Sequence, residues 1–544
     1  MPRLTADFDA AYRAAVAPYW PDRTLLDSLD AARAARPDEI AVVGNVHQTG
    51  ARHVLTRADL ADRADRIAAG LLDLGIQPGQ VVSAQLPNWW QLIALHLGCL
   101  RVGAVTNVLM PIFRERELEF MLCLAESVLF VVPEEFNGFD HAGLAAGLRP
   151  RLPALRQVLT VRPDGDDEFS GVLLGRAVTD ADRAEFARRA PHPDDVCQLA
   201  YTSGTTGEPK GVMHTSNTLL CNARDFAGRL GLTASDVVLM ASPMAHQTGF
   251  WYGLVTTVSL DMTVVLQDVW RAERATEIIR AEGVTFTMAS TPFLVDLTVC
   301  AEADPEAFEK FRLFLCAGAP VPRDLVRQAT KAMDARICSG WGMSEIGAIT
   351  LTAPGDPDER VFETDGSVMP GCALRIVALD GTPLGPGEEG RLLARACSMF
   401  GGYLARPDLR GLDAEGWFDT GDLARLDDAG YLRITGRSKD IIIRGGENVP
   451  VVEVENLLFG HPDVAEVAVV GVPDARLGER ACAFVVPRAG ATITLADLTS
   501  HLIARGTAKT YLPERLEIVA ALPRTPSGKI QKFRLREMLR GDAD

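Results

Sequence analysis

The stretch Tyr201-Thr-Ser-Gly-Thr-Thr-Gly-Glu-Pro-Lys-Gly211 organises the reading of this chain. It holds three glycines, one serine, three threonines and one lysine. Glycines let backbone amides turn inward around an anion. The hydroxyls of Thr202, Ser203, Thr205 and Thr206 add donors that suit phosphate oxygens, and Lys210 adds a point charge. A surface turn rich in Gly and Ser explains a couple of glycines but not this density ending in Pro-Lys-Gly. The pattern is not the P-loop, G-x-x-x-x-G-K-[ST]: Gly204 and Gly207 stand too close, and Gly211 follows the lysine. The stretch reads as a polyphosphate loop.

The segments before it alternate strand and helix. Residues 39–43, 81–86, 104–109 and 128–132 read as strands, with helices over residues 90–100 and 114–126. Thr56-Arg-Ala-Asp59 is a capping box that opens a helix; Leu60, Ala64, Ile67, Leu71 and Leu74 share its face, and Gly75 ends it. Residues 1–35 read as a helical lead-in, and residues 135–190 as loops and connecting helices. A strand over residues 196–201 runs into the phosphate loop. After it, strands at 237–240, 264–267, 285–288, 313–316 and 335–339 deliver small, polar or Gly-rich loops, with a helix over 272–282. Alternation of this kind predicts a largely parallel sheet, with loops at its carboxyl edge facing one cleft.

Residues 355–435 carry many Gly and Pro and short alternating strands, a β-rich subdomain. At residue 436 the character changes to a compact α+β unit. The expected fold is α/β: a large N-terminal domain over 1–435, of stacked mixed or parallel sheets with helices plus the β-rich subdomain, then a hinge at 436–440 and a small mobile α+β domain over 441–544. The length of 544 residues suits roughly three or four lobes.

Chemistry-bearing residues recur at the strand ends. Trp341-Gly-Met-Ser-Glu345 sets a hydroxyl beside a carboxylate. Phosphate chemistry on ATP needs Mg²⁺, which takes few carboxylates plus phosphate oxygens, so Glu345 is the candidate ligand and Ser344 a phosphate donor. A helix start capped by Ser344 is the alternative. Asp419-Thr-Gly-Asp422 precedes Gly436-Arg-Ser-Lys-Asp440; the Asp422 carboxylate suits ribose hydroxyls and Arg437 suits ribose or phosphate. Pro523-Arg-Thr-Pro-Ser-Gly-Lys-Ile-Gln531 presents Lys529 on an exposed loop, where a mobile ammonium can offset developing negative charge.

Net charge of −17 argues against a basic nucleic-acid face and requires any anionic ligand to find a local positive site. The ten cysteines are scattered without a C-x-x-C pair, which removes the usual zinc and redox motifs and suggests reduced core thiols. Arg101 and Asp261 interrupt the best apolar runs, and the N-terminus has early acids and no apolar h-region, so a cytoplasmic protein without an integral membrane segment is expected.

The loop at 201–211 resembles the phosphate-binding signature of the adenylate-forming superfamily of acyl-CoA synthetases, aryl-CoA ligases, peptide-synthetase adenylation domains and luciferases. The resemblance runs from about residue 30 to the C-terminus, with the motifs in family order. It implies ATP, Mg²⁺ and CoA as cofactors and a small carboxylic acid as substrate. Thr202, Ser203, Gly204, Thr205, Thr206 and Lys210 then hold phosphates; Glu345 with Thr206 holds the metal. Trp341, Gly342, Met343, Ser344, Asp422, Ile434 and Arg437 hold the nucleotide, and Gly318, Ala319 and Pro320 of Ala317-Gly-Ala-Pro320 pack against adenine. Lys529 is the catalytic lysine of adenylation and Lys439 the hinge. Gly445 and Gly446 approach the pantetheine tail. His246, in Pro243-Met-Ala-His-Gln-Thr-Gly-Phe250, joins the catalytic set as a residue of the acyl pocket, not as a base, with Trp251 and Tyr252 beside it. Leu109–Leu118, His246 and its neighbours, and Arg444–Glu453 resemble the branch of cyclohexanecarboxylate and medium-chain acyl-CoA ligases. The sequence departs from the family at Ala396-Cys397, where a Gly-containing pair is usual, and at Arg391, where many members carry Glu. The resemblance implies a two-step acid:CoA ligase acting on a medium-chain, alicyclic or aryl acid, as a monomer or a homodimer. Alternatives keep adenylation with another acceptor, a carrier-protein thiol or nitrite on an aryl amine; a non-catalytic nucleotide binder is the alternative from another class.

Overall fold

The computed structural model of the chain describes residues 4, 6, 8–163, 165, 167–202, 209–318, 321–444, 447–474, 476–525 and 529–541. Two large sheets dominate the N-terminal part. A six-stranded sheet runs in the order Lys210–Thr215, Val196–Thr202, Val105–Val108, Val81–Ala84, Leu129–Pro133 and Gln157–Val161. All its pairs are parallel except the first, where Lys210–Thr215 turns back antiparallel on Val196–Thr202. A nine-stranded sheet has a parallel centre from Arg336–Met343 through Leu313–Ala317, Phe286–Ala289, Val237–Met240 and Thr263–Gln267 to Ile40–Asn45. Antiparallel strands close it on both sides: Gly347–Leu351 with Ser367–Val368, and Arg52–Thr56.

Strand alternation sorts the core. Val42, Val264, Leu266, Val238 and Met240 face one core, shared with Val82, Ala84 and Val131 of the six-stranded sheet. Their neighbours Val43, Val265 and Leu239 face the opposite core, under helices Ala272–Glu282, Thr291–Ala303 and Arg323–Met333. Helices Arg57–Asp73, Trp90–Arg101 and Ser216–Leu230 fill the space between the sheets, and Glu115–Leu124 with His141–Leu148 cover the outer face of the six-stranded sheet. The capping box forms as expected: Asp59 N donates to Thr56 Oγ1 at 3.0 Å, Thr56 N donates to Asp59 Oδ2 at 3.0 Å, and Gly75 follows the helix at φ +68°.

Some elements differ from the sequence reading. The region 135–190 supplies the edge strand Gln157–Val161, with helices Glu168–Leu173 and Asp180–Arg189 after it. The stretch after Val196–Thr202 contributes a strand of its own, Lys210–Thr215, antiparallel to it. Likewise the strand before Glu345 continues to Met343 and turns straight back as Gly347–Leu351, so Ser344 lies in a hairpin turn and caps no helix. Gly342 is required there: a Cβ would fall 2.1 Å from the Gly347 carbonyl oxygen.

The β-rich subdomain is a four-stranded antiparallel sheet, Cys372–Val377, Gly390–Ala396, Phe418–Leu426 and Leu432–Arg437. The departures from the family pattern find partners here. Trp20 Nε1 donates to the Cys397 carbonyl at 2.7 Å, Tyr12 Oη donates to the Ala396 carbonyl at 2.7 Å, and Arg391 Nη1 donates to Asp419 at 2.8 Å. The C-terminal part pairs Ile442–Arg444, Glu447–Val449, Val464–Asp474 and Gly478–Pro487 antiparallel, adds Arg515–Ile518 in parallel, and packs helices Val451–Phe459, Leu495–Ala504 and Lys532–Gly541 against them. All ten cysteines are free thiols, and most are buried. Among the described residues, no helix is long and apolar enough to cross a membrane.

Candidate active site

The cleft is built from strand ends. Val196–Thr202 and Lys210–Thr215 bring Thr202 and Lys210 opposite one another in register. Leu313–Ala317 leads to Gly318 at φ +88°, and Arg336–Met343 delivers the Ser344–Glu345 turn. Phe418–Leu426 and Leu432–Arg437 pair Asp422 with Arg437. From the C-terminal part comes Lys529. Its loop is pinned on both sides: Lys529 N donates to Thr525 Oγ1 at 3.0 Å, Thr525 N donates to the Lys529 carbonyl at 2.7 Å, and Gln531 N donates to the Pro523 carbonyl at 2.8 Å.

Lys529 reaches across into the cleft. Its Cε lies 4.0 Å from where a Cβ on Gly318 would stand, an ordinary contact distance, and the φ of +88° at Gly318 is what favours glycine there. Desolvation lowers its pKa, and Arg437 acts in the same direction, while Asp422 and Glu345 oppose them. His246 feels the Lys529 charge from its own strand-end loop; burial, with that charge added, takes its pKa down to about 3. Its Nδ1 accepts from Thr248 N at 3.3 Å, which keeps the imidazole neutral and oriented.

Asp422 is buried, with one partner on each oxygen and further acceptor capacity on both. Oδ2 accepts from Trp341 Nε1 at 2.8 Å, and Oδ1 pairs with Arg437 Nε at 2.8 Å. Glu345 is also buried. Its Oε1 accepts from Tyr403 Oη at 2.7 Å, and among the described residues it makes no salt bridge. Burial raises its pKa, with the Tyr403 hydrogen bond and the Lys529 and Lys210 charges opposing. The Glu345 carboxylate supplies one hard oxygen donor, which suits Mg²⁺ that takes its remaining ligands from phosphate and water, and the lysines suit the phosphates. Among the described residues no cluster of three or more His, Cys, Asp and Glu could hold a metal by itself.

The other expected positions fall as follows. Met343 is half-buried at the end of its strand, and Ser344 is half-buried with its carbonyl accepting from His214 Nε2 at 2.8 Å. Ile434 is half-buried, and its amide donates to Asp365 Oδ2 at 2.8 Å. Lys439 is exposed in the turn after Arg437, and its charge reaches Lys529. Ser203, Gly204, Thr205, Thr206, Ala319, Pro320, Gly445 and Gly446 lie outside the described residues. Trp251 and Tyr252 serve the framework: the indole donates to the Leu219 carbonyl at 2.8 Å, and the phenol donates to Asn222 Oδ1 at 2.9 Å while accepting from Ala348 N at 2.7 Å.

The sequence reading missed three supporting groups. His214 holds the Ser344 carbonyl, Gln198 and Gln247 exchange side-chain hydrogen bonds at 2.8 and 3.2 Å, and Tyr403 holds Glu345. The one available signal was polarity inside apolar runs, as at Gln198 and His214.

A cleft that gathers lysines, an arginine and two buried carboxylates around a glycine-lined surface defines a nucleotide-dependent enzyme built from a large and a small domain. Residues 29–404 match the family described as AMP-binding enzyme, and residues 453–529 match the AMP-binding enzyme C-terminal domain. The chain is 35% identical over 544 residues to the medium-chain fatty-acid–CoA ligase of Escherichia coli (strain K12), covering 98% of this chain and 94% of that protein. It is 36% identical over 545 residues to a salicylyl-CoA synthase / salicylate adenylyltransferase of a Streptomyces species, covering 98% of this chain and 97% of that protein. The crystal structure of ATP-bound MatB from Rhodopseudomonas palustris superposes with a TM-score of 0.85 at 27% identity, covering 95% of this chain and 99% of that one. The chain belongs to the AMP-binding enzyme family and is an adenylate-forming enzyme.

Proposed function

We propose that the cleft activates a carboxylic acid as its adenylate and passes the acyl group to CoA, with the residues above in the roles their geometry suits. The chain is an AMP-forming acyl-CoA synthetase that uses ATP, Mg²⁺ and CoA. The observation that carries the residue assignment is Lys529, presented by the C-terminal part within the large-domain cleft beside Gly318, and within the electrostatic reach of Glu345, Asp422 and His246.

In this reading the acid's carboxylate attacks the α-phosphate in line, and pyrophosphate leaves. The Lys529 ammonium binds the carboxylate and an α-phosphate oxygen together, orients them and offsets the charge that develops. Lys210 and the loop at 201–211 bind the outer phosphates. Glu345 holds Mg²⁺, which when bound neutralises phosphate charge on the leaving side. Asp422 accepts the ribose hydroxyls, its carboxylate fixed from either side by Trp341 and Arg437. The thiol of CoA then attacks the acyl carbon, and AMP leaves. Lys529 and the thiol cannot both occupy the near side of the carbonyl, so the small domain turns between the two steps, about a hinge at 436–440 centred on Lys439. Gly445 and Gly446 would then face the pantetheine. The domain limits 1–435 and 441–544, and a cytoplasmic location where ATP and CoA are supplied, belong to the same proposal.

The loop after His246 bears on the acid. Gln247 gives its amide to Gln198, Trp251 gives its indole N–H to Leu219, and Tyr252 gives its hydroxyl to Asn222. Trp251 and Tyr252 spend their donors on the framework, and Gln247 keeps one amide N–H beyond its bond to Gln198, so the loop offers few donors to a substituent on the substrate. An acid with an apolar body, medium-chain or alicyclic, fits this loop better than a hydroxylated aryl acid, and the margin expected from a pocket poor in hydroxyl partners is about tenfold to a hundredfold in kcat/KM.

Pyrophosphate release with Mg·ATP across octanoate, cyclohexanecarboxylate, benzoate and 2-hydroxybenzoate, each with and without CoA, tests this. Release that rises with CoA and yields thioester supports the ligase. Adenylation that CoA leaves unchanged moves the acceptor to a carrier thiol or nitrite, and preference for 2-hydroxybenzoate overturns the apolar pocket.

A further inference from the structure

The segment Ser398–Leu404 clasps both sides of the cleft. Phe400 N donates to the Glu345 carbonyl at 2.8 Å, and Ser398 Oγ donates to the Ile346 carbonyl at 2.6 Å. Three residues on, the same segment pairs with the strand that starts at Lys210. Gly401 N donates to the Met213 carbonyl at 2.8 Å, Met213 N donates to the Gly402 carbonyl at 3.1 Å, and Leu404 N donates to the Gly211 carbonyl at 2.8 Å. The two glycines are required by this path. Gly402 sits at φ +116°, and a Cβ on Gly401 would fall 2.6 Å from the Ala6 side chain. Tyr403 then projects between the two anchored strands. Its hydroxyl donates to Glu345 Oε1 at 2.7 Å, its ring stands 4.9 Å from Lys210 Nζ, and its other side packs on Phe400 at 4.7 Å between ring centroids.

We propose that Tyr403 is a positioning residue that ties the Glu345 carboxylate and the Lys210 ammonium to one frame, so that the metal side and the phosphate side of the nucleotide site are held in register. The inference rests on the reading that Glu345 holds the metal. A carboxylate on a hairpin turn has rotamers to spare, and a hydrogen bond to a charged acceptor is among the stronger ones. The phenol selects one rotamer. The ring face holds the lysine by a cation–π contact, which leaves the ammonium protons on its far side for phosphate. A Phe at 403 would keep the second contact and lose the first, whereas a Leu would lose both.

The test uses the full chain and manganese(II) as the probe, read by electron paramagnetic resonance with ATP present, beside ATP binding measured by calorimetry without divalent cation. Tyr403→Phe is expected to weaken manganese binding about tenfold, as loss of a charged hydrogen bond does, while metal-free ATP affinity stays within about twofold. In turnover, the Mg²⁺ concentration for half-maximal rate should rise with little change in kcat at saturating metal. Tyr403→Leu should weaken metal-free ATP binding as well. Retained metal-free ATP binding by Tyr403→Phe also shows that the variant folds. Manganese binding and Mg²⁺ dependence unchanged in Tyr403→Phe would overturn the inference and leave the ligase reading standing. If Glu345→Gln also leaves manganese binding unchanged, the metal assignment falls with it.

Discussion

The Lys529 ammonium lies in the field of two other cations and two carboxylates, and its lowered pKa shows that desolvation and the cations win. Exposed at the mouth of the cleft and held among charges of both signs, this ammonium is placed to gain an incoming carboxylate and phosphate as partners. Lys529→Ala should therefore cut pyrophosphate release by about a hundredfold or more, the scale of losing one preorganised charge partner. Thioester formation from supplied acyl-adenylate should stay largely intact, and equal loss in both half-reactions would refute the role. His246 is a different case. With its pKa at about 3, it is neutral at every working pH and can act only by shape and hydrogen bonding. His246→Asn should change the KM for the acid several-fold and leave the shape of the pH–rate profile unchanged between about pH 6 and about pH 9; a lost limb would make it a base. Residues of the first kind were legible in the sequence because the reaction itself demands a lysine, a carboxylate and a glycine in fixed local order. Tyr403, His214 and Gln198 were not. Each is defined by a partner 58, 130 or 49 residues away in sequence, and no local pattern carries that information.

Among the elements, the turn at 438–440 shows where a pivot can lie. Ser438 Oγ donates to the Gly421 carbonyl at 3.1 Å, which fastens it to the large-domain hairpin. Asp440 pairs with Arg536 at 2.7 Å, which fastens it to the C-terminal helix. Lys439 stands between the two attachments, exposed. Proline there fixes φ and removes the N–H, so it should restrict rotation while every contact residue of the adenylation face stays in place; the charge it removes is the last of the influences on Lys529. Lys439→Pro is expected to keep single-turnover pyrophosphate release and to lower thioester formation about tenfold or more, measured by quenching both products from one reaction. Loss of both together would place the pivot elsewhere. The alternating strands and capped helices were readable because burial on one face writes period two or 3.6 into the sequence. Lys210–Thr215 was hidden by its own function, since the reading assigned its first residues to the loop. Gln157–Val161 lies in a charged, Gly- and Pro-bearing region, and as an edge strand it needs only half its residues apolar.

At the scale of the whole molecule, the large domain hides three histidines that it cannot afford to charge. His96 is buried with Nδ1 2.9 Å from Thr106 Oγ1 and its ring edge-on to Phe250 at 4.9 Å; His141 lies 3.2 Å from Gln85 Oε1; His214 bridges Thr218 and the Ser344 carbonyl. Burial takes their pKa values down from 6.5, to about 3 for His96 and to about 4 for His141 and His214, with Arg114 adding to the effect at His141. Below 6.5 the unfolded chain binds these protons and the folded chain does not, so stability rises with pH through this window and is lost as pH falls, until the folded values are reached. Each histidine contributes about 1.4 kcal/mol per pH unit at most, so a drop from 6.5 to about pH 5 costs about 2 kcal/mol for each, a large share of a marginal stability. Buried carboxylates with raised values, Asp365 first among them, oppose this trend, because they bind protons in the folded state before the unfolded one does. A single substitution separates the contributions, since the carboxylates are common to both proteins. His96→Leu should reduce the fall in melting temperature between about pH 7.5 and about pH 5, whatever it does to the melting temperature at the higher pH. An equal fall in both proteins would mean that His96 is protonated in the fold, and that the core between the two sheets is wetter than its packing indicates.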